Sequence, residues 1–364
     1  MNLKILTILI IRNCAQYFID FQAILYFIIM AVDFLFLYFD KLLNSIKLQK
    51  TNYKDMDRSK FIKSIIAAPA VAACFGGSFI QSLQTAGLRR LTANRSFIEW
   101  KPQMEAAWHV SLNEVVLIEM SHGMPGLVTR EGVFSTPGPD AIINPMTGPI
   151  FIDGIEPGDA LAIDILDIKT GDWGYCSGRI FELLDGYALF SPTLKLPLDP
   201  MIGGIGVAPS EGSVDTRAPG ETGGNMDCRE IRAGSTLVLK ARVKGALAGM
   251  GDAHALQGDG EITGQGIECD AEAIVRFRKL DGPLSDRPVI IRHDSISTLG
   301  ANKDLEDAAW QATEDMINLL QKKTGRKKDE ARLLVGLCGK LRINQIVDPT
   351  KGARMEVPSW VLGI

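Results

Sequence analysis

From about residue 100 the chain alternates short apolar runs with glycine, proline and aspartate turns. Segments 149–153 and 160–168 are two such runs. In the second, Ala-Leu-Ala-Ile-Asp-Ile-Leu-Asp-Ile places large apolar residues two apart, the period of a strand. Between them, Gly154-Ile-Glu-Pro-Gly-Asp159 is a turn. Runs at 235–243, 273–277, 289–293 and 341–347 continue the pattern. Helical spacing comes late. Over 304–320, Leu305, Ala309, Met316 and Leu320 form one stripe, with Glu306 and Asp307 at the start and Lys322, Lys323 and Gly325 at the end. That charge order suits a helix dipole, and the glycine suits its stop. A shorter helix is predicted to start at Asp329. Many short strands with late helices predict a mixed, β-dominant fold of the sandwich or barrel kind, with helices packed over a sheet.

The front of the chain is different. Residues 23–39 are almost continuously apolar, with Asp33 inside the run and Lys41, Lys47 and Lys50 after it. The run is near the lower limit for a membrane span. A second start-like signal opens at Met56: a basic stretch to Lys63, then an apolar run ending Val71-Ala-Ala-Cys74, similar to a lipoprotein cleavage box. Four segments are therefore expected: an apolar leader or over-extended start (1–55), an export signal and linker (56–95), a β-rich subdomain (96–210) and an α+β subdomain with the polar site (211–364). Export, periplasmic or lipid-anchored, is expected ahead of a cytoplasmic location. Membrane contact is expected only through the N-terminal segment.

Composition adds exclusions. With 364 residues, 46% of them hydrophobic, the chain can bury a large core. Its 39 basic and 43 acidic residues are interspersed, with no basic stripe for nucleic acid. Six cysteines are scattered without a Cys-x-x-Cys pair and read as buried or incidental thiols. Gly203-Gly-Ile-Gly206 lacks a phosphate-loop context, and Ser235 lies in a strand rather than a nucleophile elbow.

The densest chemistry lies in Gly249-Met-Gly-Asp-Ala-His-Ala-Leu-Gln-Gly-Asp-Gly-Glu261. Read as a loop or as strand ends joined by a turn, it places Asp252 and His254 two apart, on one face, and likewise Asp259 and Glu261. Glycines at 251, 258 and 260 let backbone approach a ligand. A zinc site takes an imidazole and carboxylate oxygens. In Gly223-Gly-Asn-Met-Asp227, Gly223 and Gly224 can bring the Asn225 amide or the Asp227 carboxylate into a pocket. His122 can line it. Two readings stay open from these residues alone: a metal or catalytic pocket, and polar turns between strands.

Five ordered motifs then carry a resemblance. They are Asn144-Pro-Met-Thr-Gly-Pro149 with Gly154-Ile-Glu-Pro-Gly-Asp159, the run 196–209, Gly223-Gly-Asn-Met-Asp227, the Gly251–Glu261 stretch, and the strand from Leu341 with Pro349. Together they resemble the acetamidase/formamidase family from about residue 105 to the end. The resemblance implies a β-sandwich or swivelling β/β/α fold, hydrolysis of a small carboxylic amide such as formamide or acetamide to ammonia and a carboxylate, a divalent metal and a homodimer. Zinc is the metal expected first, with calcium second. Carried onto this chain, it makes His254, Asp252 and Asp227 metal ligands. It makes Glu261 and Asp259 metal or proton-transfer groups, here assigned to catalysis. The reading of the residues themselves adds Asn225 as a catalytic group and Gly223, Gly224 and His122 as pocket residues. Backbone donors at 223–225 are expected to stabilise the oxyanion. Thr222 departs from the family, which has histidine there, and Trp100 is followed by Lys101 rather than aspartate. These departures keep two alternatives: a non-catalytic metal- or small-ligand-binding member of the fold, and a hydrolase of a larger amide. Cys228 is a minor alternative nucleophile.

Overall fold

The computed structural model describes residues 87–363. The apolar leader and the export signal with Cys74 lie outside the described residues. Among the described residues no helix is long and apolar enough to cross a membrane.

A nine-stranded sheet forms the middle layer. Its order is Arg89–Leu91, Val115–Met120, Ala271–Leu280, Ala160–Thr170, Ser235–Lys240, Val289–Ile291, Ser295–Asn302, Lys351–Pro358 and Lys340–Gln345. All neighbours are antiparallel except the first pair. Strands from both sides of residue 210 alternate in it. A second sheet runs Gly223–Asn225, Met201–Gly206, Ala248–His254, Met146–Asp153 and Ser96–Phe97, with Trp108–Ser111 pairing parallel to Met146–Asp153.

The period-two pattern explains the layering. In Ala160–Thr170, Leu161, Ile163 and Ile165 enter the core shared with the second sheet, beside Ile150, Ile152, Ile202 and Met250. Ala160 and Ala162 face the other way, against helical residues. Leu237 and Leu239 divide from Val238 in the same manner. A bulge between Ile274 and Val275 shifts the register, which returns Ile168 to the first core. The central sheet is thus apolar on both faces, and a β/β/α sandwich follows. A four-stranded meander (Trp173–Cys176, Arg179–Leu184, Tyr187–Ser191, Leu194–Pro197) packs over a small cluster with Ala255, Ile267 and Cys269.

Helix α1 (Leu305–Thr324) is capped by Asp304, which accepts from the N–H groups of Glu306 and Asp307, and stops at left-handed Gly325. Helix α2 spans Lys328–Cys338. The buried face of α1 differs from the expected stripe. It is Ala308, Ala312, Met316, Ile317, Leu319 and Leu320, while Leu305 and Ala309 line a shallow surface hollow. Close backbone approach rotates the helix: Gly300 lies against the Ala308 carbonyl and the Ala312 nitrogen, and Thr298 Oγ1 donates to the Ala312 carbonyl at 2.6 Å.

Two glycine substitutions test this packing. Gly300→Ala drives a methyl into helix backbone and is expected to lose about 1–3 kcal/mol of stability. Gly336→Ala, in open space on α2, is expected to gain about 0.5–1 kcal/mol. Urea unfolding of both variants checks the opposite signs.

Candidate functional site: a buried imidazole among carboxylates

The stretch 249–254 is a fully buried strand rather than a loop, within Ala248–His254. Met250 and Ala253 both enter the core, because Asp252 has a left-handed φ of 55° that resets the alternation. Asp252 and His254 then converge on a buried cluster of carboxylates. His254 Nε2 lies 3.7 Å from Asp252 Oδ1 and 3.2 Å from Glu268 Oε1. Asp227 arrives from the turn after Gly223–Asn225, and Glu261 from the turn at 258–261. One ligand atom from each of Asp227, His254 and Glu261 lies within 4.8 Å of the others, and the same holds for Asp252, His254 and Glu268. All five side chains are buried.

Two carboxamides orient this cluster. His254 Nδ1 is 2.6 Å from Gln257 Oε1, and Gln257 Nε2 donates to the Asp227 carbonyl at 2.7 Å. Gln257 Oε1 can only accept, so Nδ1 carries the proton and Nε2 faces the carboxylates. Asn225 Nδ2 donates to Asp227 Oδ2 at 2.6 Å and to Asp348 Oδ2 at 3.2 Å, while Asn225 Oδ1 accepts from Asn144 Nδ2 at 3.1 Å. Asn225 therefore holds Asp227 through a carboxamide whose hydrogen bonds are taken by protein groups. Small residues leave the space: a Cβ on Gly203 would run into the carboxylates of Asp227 and Asp252, and one on Gly123 into those of Glu268 and Asp252.

The donor set fits a divalent cation. His254 Nε2, Asp227 Oδ1 and Asp252 Oδ1 are buried with no hydrogen-bond partner. Such atoms are costly unless something satisfies them. Without a cation the cluster favours protons. Burial, then Glu261 and Asp252, push Asp227 well above the usual carboxylate range. Burial, opposed by His254 and reinforced by Asp252, raises Glu261 to about 8. Burial and Asp252, opposed by His254, raise Glu268 to about 7. Burial alone would lower His254, but Glu268 and Asp252 outweigh it and hold the imidazole well above its ordinary value.

Other expected residues lie elsewhere. Asp259 points away from the cluster and pairs with Arg354 at 2.8 Å and Arg342 at 3.3 Å. Gly223 and Gly224 have φ of 89° and 98°, and backbone of Ile205 and Ala218 fills the space a Cβ would need, so they serve sheet packing. The Gly223 N–H donates to the Gly220 carbonyl, and the N–H groups of Met226 and Asp227 donate to the Gly203 carbonyl. His122 is buried beside the cluster, edge-on to Tyr175 and Trp173, and burial lowers its pKa against the pull of Asp270. Its neighbour Gly123 donates its N–H to Glu268 Oε2 at 3.2 Å. Thr222 is buried, and its carbonyl accepts from the Val207 N–H. Cys228 is fully buried, and burial pushes its thiol up to about 11, so it is no thiolate nucleophile near neutrality. Sequence reading missed Glu268, Gln257, Asn144 and Asp348. A legible sign existed for Glu268, a carboxylate between apolar Ile267 and Cys269.

Comparison with known proteins agrees with this architecture. The model of the Acetamidase/Formamidase family matches residues 88–191 and 207–362. A relative from Schizosaccharomyces pombe described as a putative formamidase is 25% identical over 266 residues, 51% of this chain and 64% of that protein's length. A crystal structure of a predicted acetamidase/formamidase from Thermoanaerobacter tengcongensis is 30% identical, with a TM-score of 0.72, covering 75% of this chain and 96% of its own. That of an acetamidase from Bacillus halodurans is 29% identical, with a TM-score of 0.69, covering 76% and 100%.

The raised pKa values set a sign for pH dependence. Asp227, Glu261, Glu268 and His254 all bind protons more tightly folded than unfolded. Their contribution to stability is complete below their unfolded pKa values and is lost as pH rises through the folded ones. Metal-free protein is therefore expected to lose stability between about pH 4.5 and 8, at up to about 1.4 kcal/mol per pH unit for each proton released. Urea midpoints across that range check it, and Glu261→Gln should flatten the slope.

Proposed function

Because the chain belongs to the acetamidase/formamidase family, amidases of small linear amides, we propose that it hydrolyses such an amide to ammonia and a carboxylate at the buried cluster around His254. The observation that carries this reading is the convergence of His254 Nε2, Asp227 Oδ1 and Asp252 Oδ1, none of them satisfied by a hydrogen bond, with Glu261 and Glu268. His254 and Asp227, with Asp252, Glu268 and Glu261 beside them, would hold a divalent cation. An imidazole among carboxylates favours zinc, whereas calcium prefers an all-oxygen shell. When bound, the cation supplies Lewis-acid chemistry, polarising the amide carbonyl and making water more acidic.

The chain's own groups do the rest. Gln257 keeps the proton on His254 Nδ1, which leaves Nε2 free to ligate. Asn225 fixes one oxygen of Asp227 and leaves the other turned into the pocket. Burial raises Glu268 to about 7 and Glu261 to about 8, so each can hold or release a proton close to neutrality. Glu268 then takes a proton from the attacking water and returns it to the departing ammonia, while Glu261 stays with His254 and Asp227 on the cation. Burial favours a small substrate, since His122, Tyr175 and Gly123 close the space next to Glu268.

The test is ammonia release by the full chain from formamide, acetamide and larger amides, with zinc and after chelation. Release is expected from the small amides, to fall on chelation and to return with zinc. His254→Ala is expected to lower kcat/KM by about 10³-fold or more, the scale seen when a principal catalytic group is lost. Release unaffected by chelator and by His254→Ala would overturn the assignment. Metal bound without release from any amide would favour the binding-only alternative.

A further inference from the structure

Arg354 is a fully buried cation on the strand Lys351–Pro358. A buried guanidinium is tolerated only where its partners are well placed. Its Nη2 donates to Asp259 Oδ1 at 2.8 Å and lies 3.9 Å from Glu230 Oε1, and its Nη1 donates to Asn344 Oδ1 at 2.8 Å. Asp259 is two residues before Glu261, and Glu230 three after Asp227. One side chain thus reaches both segments that deliver acids to the pocket.

The turn at 258–261 needs such a hold. Glu261 has φ of 47°, a left-handed conformation that is uncommon for a non-glycine residue. Main-chain bonds close the turn on itself, from the Glu261 N–H to the Gly258 carbonyl and from the Gly264 N–H to the Glu261 carbonyl. Those that tie it to the neighbouring strand sit at Gly260, whose N–H reaches the carbonyls of Ile343 and Asn344 and whose carbonyl accepts from Ile346. The Asp259 carboxylate supplies a second anchor. It lies between Arg342 and Arg354, which are direct cross-strand partners, and bonds to both. Without it, two like charges would face each other on adjacent strands.

We propose that Arg354 is a positioning residue for the site: through Asp259 it fixes the turn that aims Glu261 into the cluster, and through Glu230 it steadies the segment behind Asp227. This rests on reading the cluster as the cation-dependent amide site. Asp259, expected from its motif as a catalytic group, is by this account the handle by which the turn is held.

The experiment is a double-mutant cycle on the full chain with Asp259→Asn, Glu261→Gln and the combination. Zinc affinity is measured by chelator competition, and amide hydrogen exchange across 258–262 is measured without metal. Asp259→Asn is expected to weaken zinc binding about 10–100-fold, the scale for partners that orient a ligand. In the Glu261→Gln background it should change affinity by no more than about twofold, because the group it positions is gone. Exchange across 258–262 should quicken about tenfold while the central sheet stays protected, which shows that the variant is folded. Equal losses in both backgrounds would mean a general structural role and overturn the proposal, as would unchanged zinc affinity. If the unmodified protein binds no zinc and releases no ammonia, the functional reading fails by itself. The exchange result then decides the brace alone: faster exchange sustains it, and unchanged exchange overturns it.

Discussion

One imidazole surrounded by four buried carboxylates is the constraint on which the rest of the structure depends. Asp227, Asp252, Glu261 and Glu268 repel one another in a place water barely reaches, and only His254 opposes them within the cluster. Such a group of charges does not hold itself together. The two-sheet core does it for them, by burying Leu161, Ile163, Ile150 and Ile202 together with Met250, which lies on the strand that carries Asp252 and His254. The site is thus an unfavourable local arrangement maintained by a favourable distant one, and a cation or protons relieve the repulsion.

Order in the pocket comes from groups around the cluster. Gln257 sets the tautomer of His254, Asn225 sets the rotamer of Asp227, and Gly123 donates to Glu268. Asp227, Asp252 and Glu261 all have left-handed φ. A backbone in that region stays put only when its surroundings over-determine it. The Asp259 pairs do this for Glu261, and the strand pairing of its chain neighbours, Gly251 with Gly204 and Met146 and Ala253 with Ile202, does it for Asp252.

Much of the fold was legible along the chain. Period-two runs marked the long strands, and the caps of α1 were readable in Asp304, the charge order and Gly325. The face of α1 was read one step out, because its rotation depends on Gly300 of another strand. The polar motifs named Asp227, Asp252, His254 and Glu261, and the structure brings these four together. Spacing misled for Asp259. It is two residues from Glu261, but the left-handed turn between them sends their side chains to different partners.

By itself, then, the sequence determined the β-rich class, the late helices, the family and the segments that carry the acids. Those are properties of local periodicity and of residues close together in the chain. Tertiary structure alone decided which acids share a pocket. Glu268, Asp348 and Arg354 join through strand pairing and side-chain bonds between segments distant in sequence, for which no local spacing exists. It also decided protonation, since an isolated Glu261 titrates as an ordinary carboxylate and rises to about 8 only when burial and its neighbours act together.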